Sequence, residues 1–333
     1  MMASNGSLIR SGLIGYGYWG PNLARVIQAS RCCELAAIVD LSPARLAQAG
    51  LMHTGILLTV DCSEVVSNPS IDAVVIATPV NSHFDLALAA LTAGKHVFLE
   101  KPMTLTSAEA IRLIEESERR QLVLMVDHTF LFEPAVLAIS KFIGSGELGR
   151  LTFWNSERTN RGGIRGDANV LWDLAVHDLS ILDYVLAAAP NAISAIGSAS
   201  SDNGGLAHTA SLTLHFQDTL TVRIHASWLG GQKVRRMSIE GEAGALRYND
   251  LDPIQKLTFT SCNGLEQAQA VETEAAEPLA RAIHHFAECI ATNGRPIADG
   301  ASALRVVRLL EAADRSLQSM GLTVTLERLG ASE

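Results

Sequence analysis

The chain has 333 residues, 48% of them hydrophobic and 18% charged, and a formal net charge of −9 at pH 7. That length and composition fit a globular protein of two domains and exclude a disordered chain. The acidic balance argues against nucleic acid or an anionic lipid surface as partners, since both require a basic face. No apolar run is long enough to span a bilayer, and residues 1–6 lack a charged-then-apolar leader pattern, so a cytoplasmic location is expected. Cys32, Cys33, Cys62, Cys262 and Cys289 form no C-x-x-C pair and no zinc-type spacing, which reads as reduced thiols and no metal site.

The first third of the chain alternates short apolar strands with helices, the pattern of a parallel sheet. Strands are predicted at 8–14, 35–39, 73–77, 96–99 and 122–126. Helices are predicted at 21–29, 44–49 and 84–93, the last closed by Gly94, which suits the left-handed cap position. Thr106-Ser107-Ala108-Glu109 matches a capping box and opens a helix to about Arg120. After Asp127 the pattern changes, and residues 193–260 show period-two alternation. Leu212, Leu214 and Phe216 share one face of a strand; Leu220, Val222, Ile224, Ala226 and Trp228 share one face of the next. Gln217-Asp218 reads as the tight turn between them, and 241–244 as a second hairpin. Such a sheet covers one face and needs a partner layer, either helices or a second subunit, so a homodimer or homotetramer through this sheet is expected. Two amphipathic helices, Pro278–Thr292 and 301–320, finish the chain, with Gly321 as the stop.

Gly15-Tyr16-Gly17-Tyr18-Trp19-Gly20 follows the first strand and opens the first helix, inside a βαβ unit that ends at Asp40. Gly15 permits the tight turn, Gly17 lets the backbone approach a pyrophosphate, and Gly20 lets helix pack on strand. The helix start offers unpaired N–H groups to phosphates. Asp40, at the end of the second strand, can accept hydrogen bonds from ribose hydroxyls and repels a 2′-phosphate, which favours NAD over NADP. Arg45 nearby softens that preference and leaves NADP open. Tyr18 and Trp19 read either as neighbours of the cofactor or as packing at the helix start. The expected fold class is α/β: a Rossmann dinucleotide-binding domain over residues 1–127, then an α+β substrate and oligomerisation domain over 128–333 with an open, mainly antiparallel sheet.

Lys101, in Glu100-Lys101-Pro102, follows the strand at 96–99, and strand carboxyl ends face the ligand crevice in open α/β sheets. A lysine there can stabilise a developing alkoxide, although Lys-Pro after a strand is also common in plain surface loops. In Trp172-Asp173-Leu174-Ala175-Val176-His177-Asp178 a helix would set Asp173 and His177 on one face. His177 can exchange a proton near neutral pH, while Asp173 can fix its tautomer or position Lys101. The competing reading is a carboxylate–histidine pair on a helix surface.

In this order and at these separations, the glycine motif, Asp40, Ala77-Thr78-Pro79 with His83, Glu100-Lys101-Pro102 and Asp173-x-x-x-His177 resemble the glucose–fructose oxidoreductase, inositol dehydrogenase and rhizopine-catabolism family (Gfo/Idh/MocA). The resemblance implies a Rossmann domain plus an open-sheet domain. It implies Thr78, Pro79, His83 and Glu100 at the cofactor, and Lys101, Asp173 and His177 as the catalytic set, with His177 as proton acceptor. It also implies a Lys101–Pro102 peptide that is often cis. Residues 20–25 and 169–174 look like a subgroup similar to nucleotide-sugar dehydrogenases. Leu131 departs from the arginine that many relatives carry before the second phenylalanine of 127–132.

Arg161, Arg165 and Asn169 sit among glycines in the segment 158–169, read as a loop whose arginines clamp a substrate diphosphate or are simply solvated. His128, at the end of its strand, points into the cleft or lies in the core. His215 and His225, on the less apolar sheet face, read as interface residues. Together these readings describe an NAD-dependent oxidoreductase acting on a secondary alcohol of a sugar, a nucleotide sugar first. A cyclitol or free-sugar dehydrogenase, an NAD-dependent glycosidase and a non-catalytic NAD-sensing regulator are the alternatives.

Overall fold

A computed structural model describes residues 8–161, 168–186, 188–199, 206–217, 220–262 and 267–326. By its internal contacts the chain forms two compact units, Met1–Phe132 with Ala276–Val307, and Glu133–Ala275 with Arg308–Glu333.

The first unit holds a six-stranded sheet in the order β3-β2-β1-β4-β5-β6. Its strands are β1 (Ile9–Ile14), β2 (Cys33–Val39), β3 (Leu57–Thr59), β4 (Ala73–Ile76), β5 (His96–Glu100) and β6 (Leu124–Asp127). All the pairings are parallel. Helices α1 (Gly20–Ala29), α2 (Pro43–Met52), α3 (Ser63–Val66), α4 (His83–Thr92) and α5 (Ser107–Arg120) lie between the strands. Ala73-Val74-Val75-Ile76 is buried throughout, as a parallel strand covered on both faces must be. The Thr106 hydroxyl accepts from Glu109 N at 3.2 Å, so the capping box starts α5 where the spacing places it. Gly94, at φ +79°, takes the left-handed position after α4. β3 and α3 escaped the sequence reading because each is only three or four residues long. Helix α8 (Pro278–Thr292) also belongs to this unit and packs on α1, where Arg25 pairs with Glu277. Phe286 of α8 meets the Phe98 ring edge-on at 5.5 Å.

The second unit holds a nine-stranded sheet in the order β14-β13-β12-β11-β7-β10-β9-β8-β15. These are β7 (Leu151–Arg161), β8 (Ala192–Ala199), β9 (Ala207–His215), β10 (Thr221–Ser227), β11 (Leu229–Gly241), β12 (Gly244–Asn249), β13 (Leu257–Ser261), β14 (Gln269–Ala270) and β15 (Val324–Thr325). Every pairing is antiparallel except β7 with β10. Leu214 pairs with Val222, Leu212 with Ile224 and Ala210 with Ala226, so the two apolar stripes form one buried face. The hairpin at 241–244 joins β11 to β12. The opposite face carries Asn155 and Glu157 on β7, Ser238 and Arg236 on β11, and Arg247 and Asn249 on β12 as cross-strand neighbours. Helices α6 (Pro134–Gly144) and α7 (Val176–Leu186) lie in this unit, and α9 (Gly300–Gln318) begins in the first unit and continues into the second.

The loop expected over 158–169 is corrected at its start. Residues up to Arg161 are the end of β7, and Arg161 pairs with Leu229 of β11. Its run of Asn, Ser, Glu, Arg and Thr hides the strand, because the sheet's polar face and the buried Arg158 interrupt the apolar alternation.

Candidate active site

In the first unit the strand order reverses between β1 and β4, and their carboxyl ends open the crevice that receives dinucleotides in doubly wound sheets. Gly15 turns the chain at φ +100°, and a Cβ there would stand 2.5 Å from the Ala77 carbonyl oxygen. At Gly20 a Cβ would stand 2.4 Å from the Gly15 oxygen. Gly17 differs, since a Cβ there would meet only Arg45 Nη1, at 3.8 Å. Packing within the chain thus accounts for the first and third glycines, while the second leaves a cradle beside the start of α1. A pyrophosphate fits that cradle, held by backbone N–H groups and the helix dipole.

Asp40 is buried at the end of β2. Its carboxylate accepts from Tyr16 N and from Ser42 N, both at 2.8 Å, and Arg45 Nη1 stands 3.5 Å away. Two carboxylate oxygens offer about four acceptor sites, so capacity remains for ribose hydroxyls. The same carboxylate locks the glycine turn to β2 through Tyr16.

At the ends of β4 and β5 the segments around Thr78 and Lys101 are tied together. His83, the first residue of α4, is buried, with Nδ1 at 2.9 Å from Pro102 O and Nε2 at 2.9 Å from Thr78 O. Its ring is committed to these two loops, and burial depresses its pKa. Ser82 Oγ stands within hydrogen-bond distance of the Thr78 hydroxyl, at 2.7 Å, and of Pro79 O, at 2.8 Å. The Lys101–Pro102 peptide is cis, as the resemblance implied.

Glu100 and Asp127 are register partners at the ends of β5 and β6 and share a side-chain hydrogen bond. Burial raises Glu100 well above the usual carboxylate range, and the neighbouring Asp127 charge raises it further. Asp127 is also raised by burial, but donors hold it lower: Thr129 Oγ1 at 2.6 Å, Trp19 Nε1 at 3.1 Å, and Glu100 itself. The pair therefore keeps one proton, carried by Glu100. His128 is buried beside them. Burial first, and then the Lys101 charge, push its pKa down to about 3, so the ring is neutral. Neither ring nitrogen has a hydrogen-bond partner among the described residues.

In the second unit the segment around Asp173 and His177 is helical, but not as a plain α-helix. Leu171–Ala175 forms a π turn that runs into α7. Such widened turns shift side chains relative to an α-helical face and recur at functional sites. Long-range contacts hold this turn in place. The Trp228 indole, fully buried, donates to Asp173 Oδ2 at 2.9 Å. Asp314 of α9 accepts from Trp172 Nε1 at 2.6 Å and from Asn169 Nδ2 at 2.7 Å. Asn169 Oδ1 in turn accepts from Leu171 N at 3.0 Å, so both ends of that amide bind within the protein. Next to His177, Asp178 is paired with Arg158 at 2.7 Å in a buried ion pair from β7 to α7. Arg161 is exposed at the end of β7, and Arg165 lies outside the described residues. Nothing local in the sequence signals the bonds of Asp127 to Trp19, of Trp228 to Asp173 or of Asp314 to Trp172 and Asn169, because each joins residues far apart along the chain. No group of metal-ligating side chains occurs among the described residues, and no described helix is long and apolar enough to cross a membrane.

Comparison with known proteins follows the same division. Residues 9–128 match the oxidoreductase family with an NAD-binding Rossmann fold, and residues 136–247 match the GFO/IDH/MocA C-terminal domain. The chain belongs to the GFO/IDH/MocA oxidoreductase family. It is 28% identical over 310 residues to UDP-N-acetylglucosamine 3-dehydrogenase of Acidithiobacillus ferrooxidans, covering 90% of this chain and 94% of that one. It is 26% identical over 284 residues to the scyllo-inositol 2-dehydrogenase (NAD(+)) of Bacillus subtilis, covering 80% and 81%. A solved oxidoreductase structure from Magnetospirillum magnetotacticum is 33% identical, with a TM-score of 0.83 over 92% of this chain and all of that one. As a family member the protein is an NAD(P)-dependent dehydrogenase acting on CH–OH groups, and the glycine cradle is the part of its own structure that fits NAD.

Proposed function

We propose that this GFO/IDH/MocA oxidoreductase oxidises a secondary alcohol on the pyranose ring of a nucleotide sugar, or reduces the corresponding ketone. NAD supplies the hydride acceptor. Lys101 hydrogen-bonds the substrate oxygen and stabilises its alkoxide character, and His177 Nε2 takes the hydroxyl proton. Asp173 is a positioning residue, its carboxylate anchored by Trp228. The observation that carries this reading is the π turn at Leu171–Ala175, cross-braced by Trp228 and Asp314. Two long-range side-chain bonds on these five residues, and a third on Asn169 just before them, fit a site whose geometry must be held to a fraction of an ångström.

The nucleotide part of the substrate is favoured by the near end-to-end match to a relative named for a UDP-sugar. Arg161, exposed at the end of β7, is the described residue we assign to its diphosphate. A cyclitol substrate is the second reading, favoured by the inositol dehydrogenase among the relatives. Turnover of UDP-sugars, free sugars and inositols by the purified enzyme separates the two. Lys101→Ala and His177→Ala are each expected to lower turnover by about 10²–10⁴-fold while leaving NAD affinity within a few-fold. Near-normal turnover in both variants would sink the assignment. We also read the uncovered polar sheet face, with Glu157, Arg236 and Arg247, as the surface that joins copies of the chain. Sedimentation of Arg236→Glu/Arg247→Glu against the unmodified chain tests this, a smaller species being expected.

A further inference from the structure

Trp19 occupies the N-cap of α1, and its carbonyl oxygen accepts from Asn22 N at 3.0 Å, so its backbone starts the helix. Its side chain makes no cap bond. It reaches instead to the far side of the sheet: β1, which precedes the glycine turn, and β6, which ends at Asp127, are separated by β4 and β5. The indole N–H donates to Asp127 Oδ2 at 3.1 Å. The other oxygen of Asp127 accepts from Thr129 Oγ1 at 2.6 Å, and Glu100 hydrogen-bonds to the same carboxylate. Tyr18, 87% exposed, stacks on the Trp19 ring with centroids 6.5 Å apart and planes 25° apart. Asp127 is thus fixed by two neighbours and offers a buried, anionic acceptor to one residue of the glycine turn. A charge-assisted bond of this kind is stronger than a neutral one.

We propose that Asp127 is a positioning residue for the cofactor: it staples Trp19, and with it the pyrophosphate-binding turn, across the strand ends in the shape that receives NAD. Without the staple, the described bonds that hold the turn lie at its Gly15–Tyr16 end (Gly15 N to Val39 O, Tyr16 N to Asp40, and the Tyr16 hydroxyl with His53 Nε2) and at the start of α1, which leaves the stretch between them unbraced by side chains. NAD binding then also has to order the turn, and affinity falls by that cost. The inference rests on the reading of the glycine turn as the dinucleotide grip.

The test is a set of NAD affinities on the full-length chain, read by calorimetry, with tryptophan emission recorded on each variant. Trp19→Phe keeps an aromatic ring and removes the donor; Asp127→Ala removes the acceptor. Each is expected to weaken NAD binding about tenfold, and Trp19→Phe/Asp127→Ala no more than the worse single variant, since both break one bond. Asp127→Asn retains an oxygen acceptor and is expected to recover most of the affinity that Asp127→Ala loses. In Asp127→Ala the emission of Trp19 is expected to shift to the red as the indole loses its buried partner. Additive losses in the double variant, or unchanged affinity in Trp19→Phe, overturn the staple even if Asp127→Ala folds poorly. Gly17→Val serves as the control on the underlying reading. If it binds NAD normally, the glycine turn is not the grip and the failure lies there; if it abolishes binding while Trp19→Phe is silent, only the staple fails.

Discussion

The two units secure their candidate site residues in different ways. In the first, most groups at the strand ends are held by neighbours in the same βαβ units. Asp40 grips Tyr16 N and Ser42 N, and His83 ties Thr78 O to Pro102 O. In the second, Asp173 is held by Trp228, and Trp172 and Asn169 by Asp314, partners 55, 142 and 145 residues away in sequence. A doubly wound sheet delivers its crevice through topology, so backbone turns do most of the positioning. An open sheet has no equivalent built-in cleft, and the segment proposed to carry the chemistry beside it is held by side-chain braces.

Breaking the backbone device should cost the most. Gly15→Val places side-chain atoms against the Ala77 carbonyl and demands φ +100° of a β-branched residue. A loss of about 3 kcal/mol or more in urea unfolding is expected, together with loss of NAD binding. Retained stability would mean the turn relaxes more easily than its contacts imply.

Breaking a brace should be milder and confined to chemistry. Trp228→Phe keeps an aromatic ring at the buried position and deletes the donor to Asp173 together with part of the ring volume. Removing a hydrogen bond to a charged group is worth about 1.5–3 kcal/mol, so kcat is expected to fall roughly 10–100-fold with NAD affinity unaltered. An equal fall in NAD affinity would show that the brace is not local to the second unit.

The smallest effect concerns the proton held between Glu100 and Asp127. Glu100 is raised well above its ordinary value in the folded chain, so the native state keeps a proton that the unfolded chain releases. Its contribution to stability is complete below the unfolded value of about 4.3 and declines as pH rises toward the folded value, by at most about 1.4 kcal/mol per pH unit. Glu100→Gln, which cannot titrate, is expected to show a flatter stability profile between pH 5 and pH 8 in denaturant titrations. A profile parallel to that of the unmodified chain would place the proton elsewhere.

The parallel strands, the capping box at Thr106, the Gly94 cap, the boundaries of α8 and the hairpin at 241–244 are all legible in the sequence alone. Each depends on residues within a few positions of one another, where periodicity and turn chemistry are decisive. The glycine motif is legible for the same reason, and Asp40 by its place at the end of the next strand of the βαβ unit. Strand β7 was not, because one of its faces is polar and Arg158 on the other is buried only through its pairing with Asp178.

By itself the sequence determined the class of the fold, the family and the dinucleotide turn, all of which follow from local patterns in a set order. Only the tertiary structure decided that Trp19 belongs to Asp127, that Asp173 leans on Trp228 within a π turn, and that Asn169 is tied to Asp314. The reason is physical. A buried polar group must find a partner, and which partner it finds depends on what the chain brings back through space, not on what stands beside it in sequence.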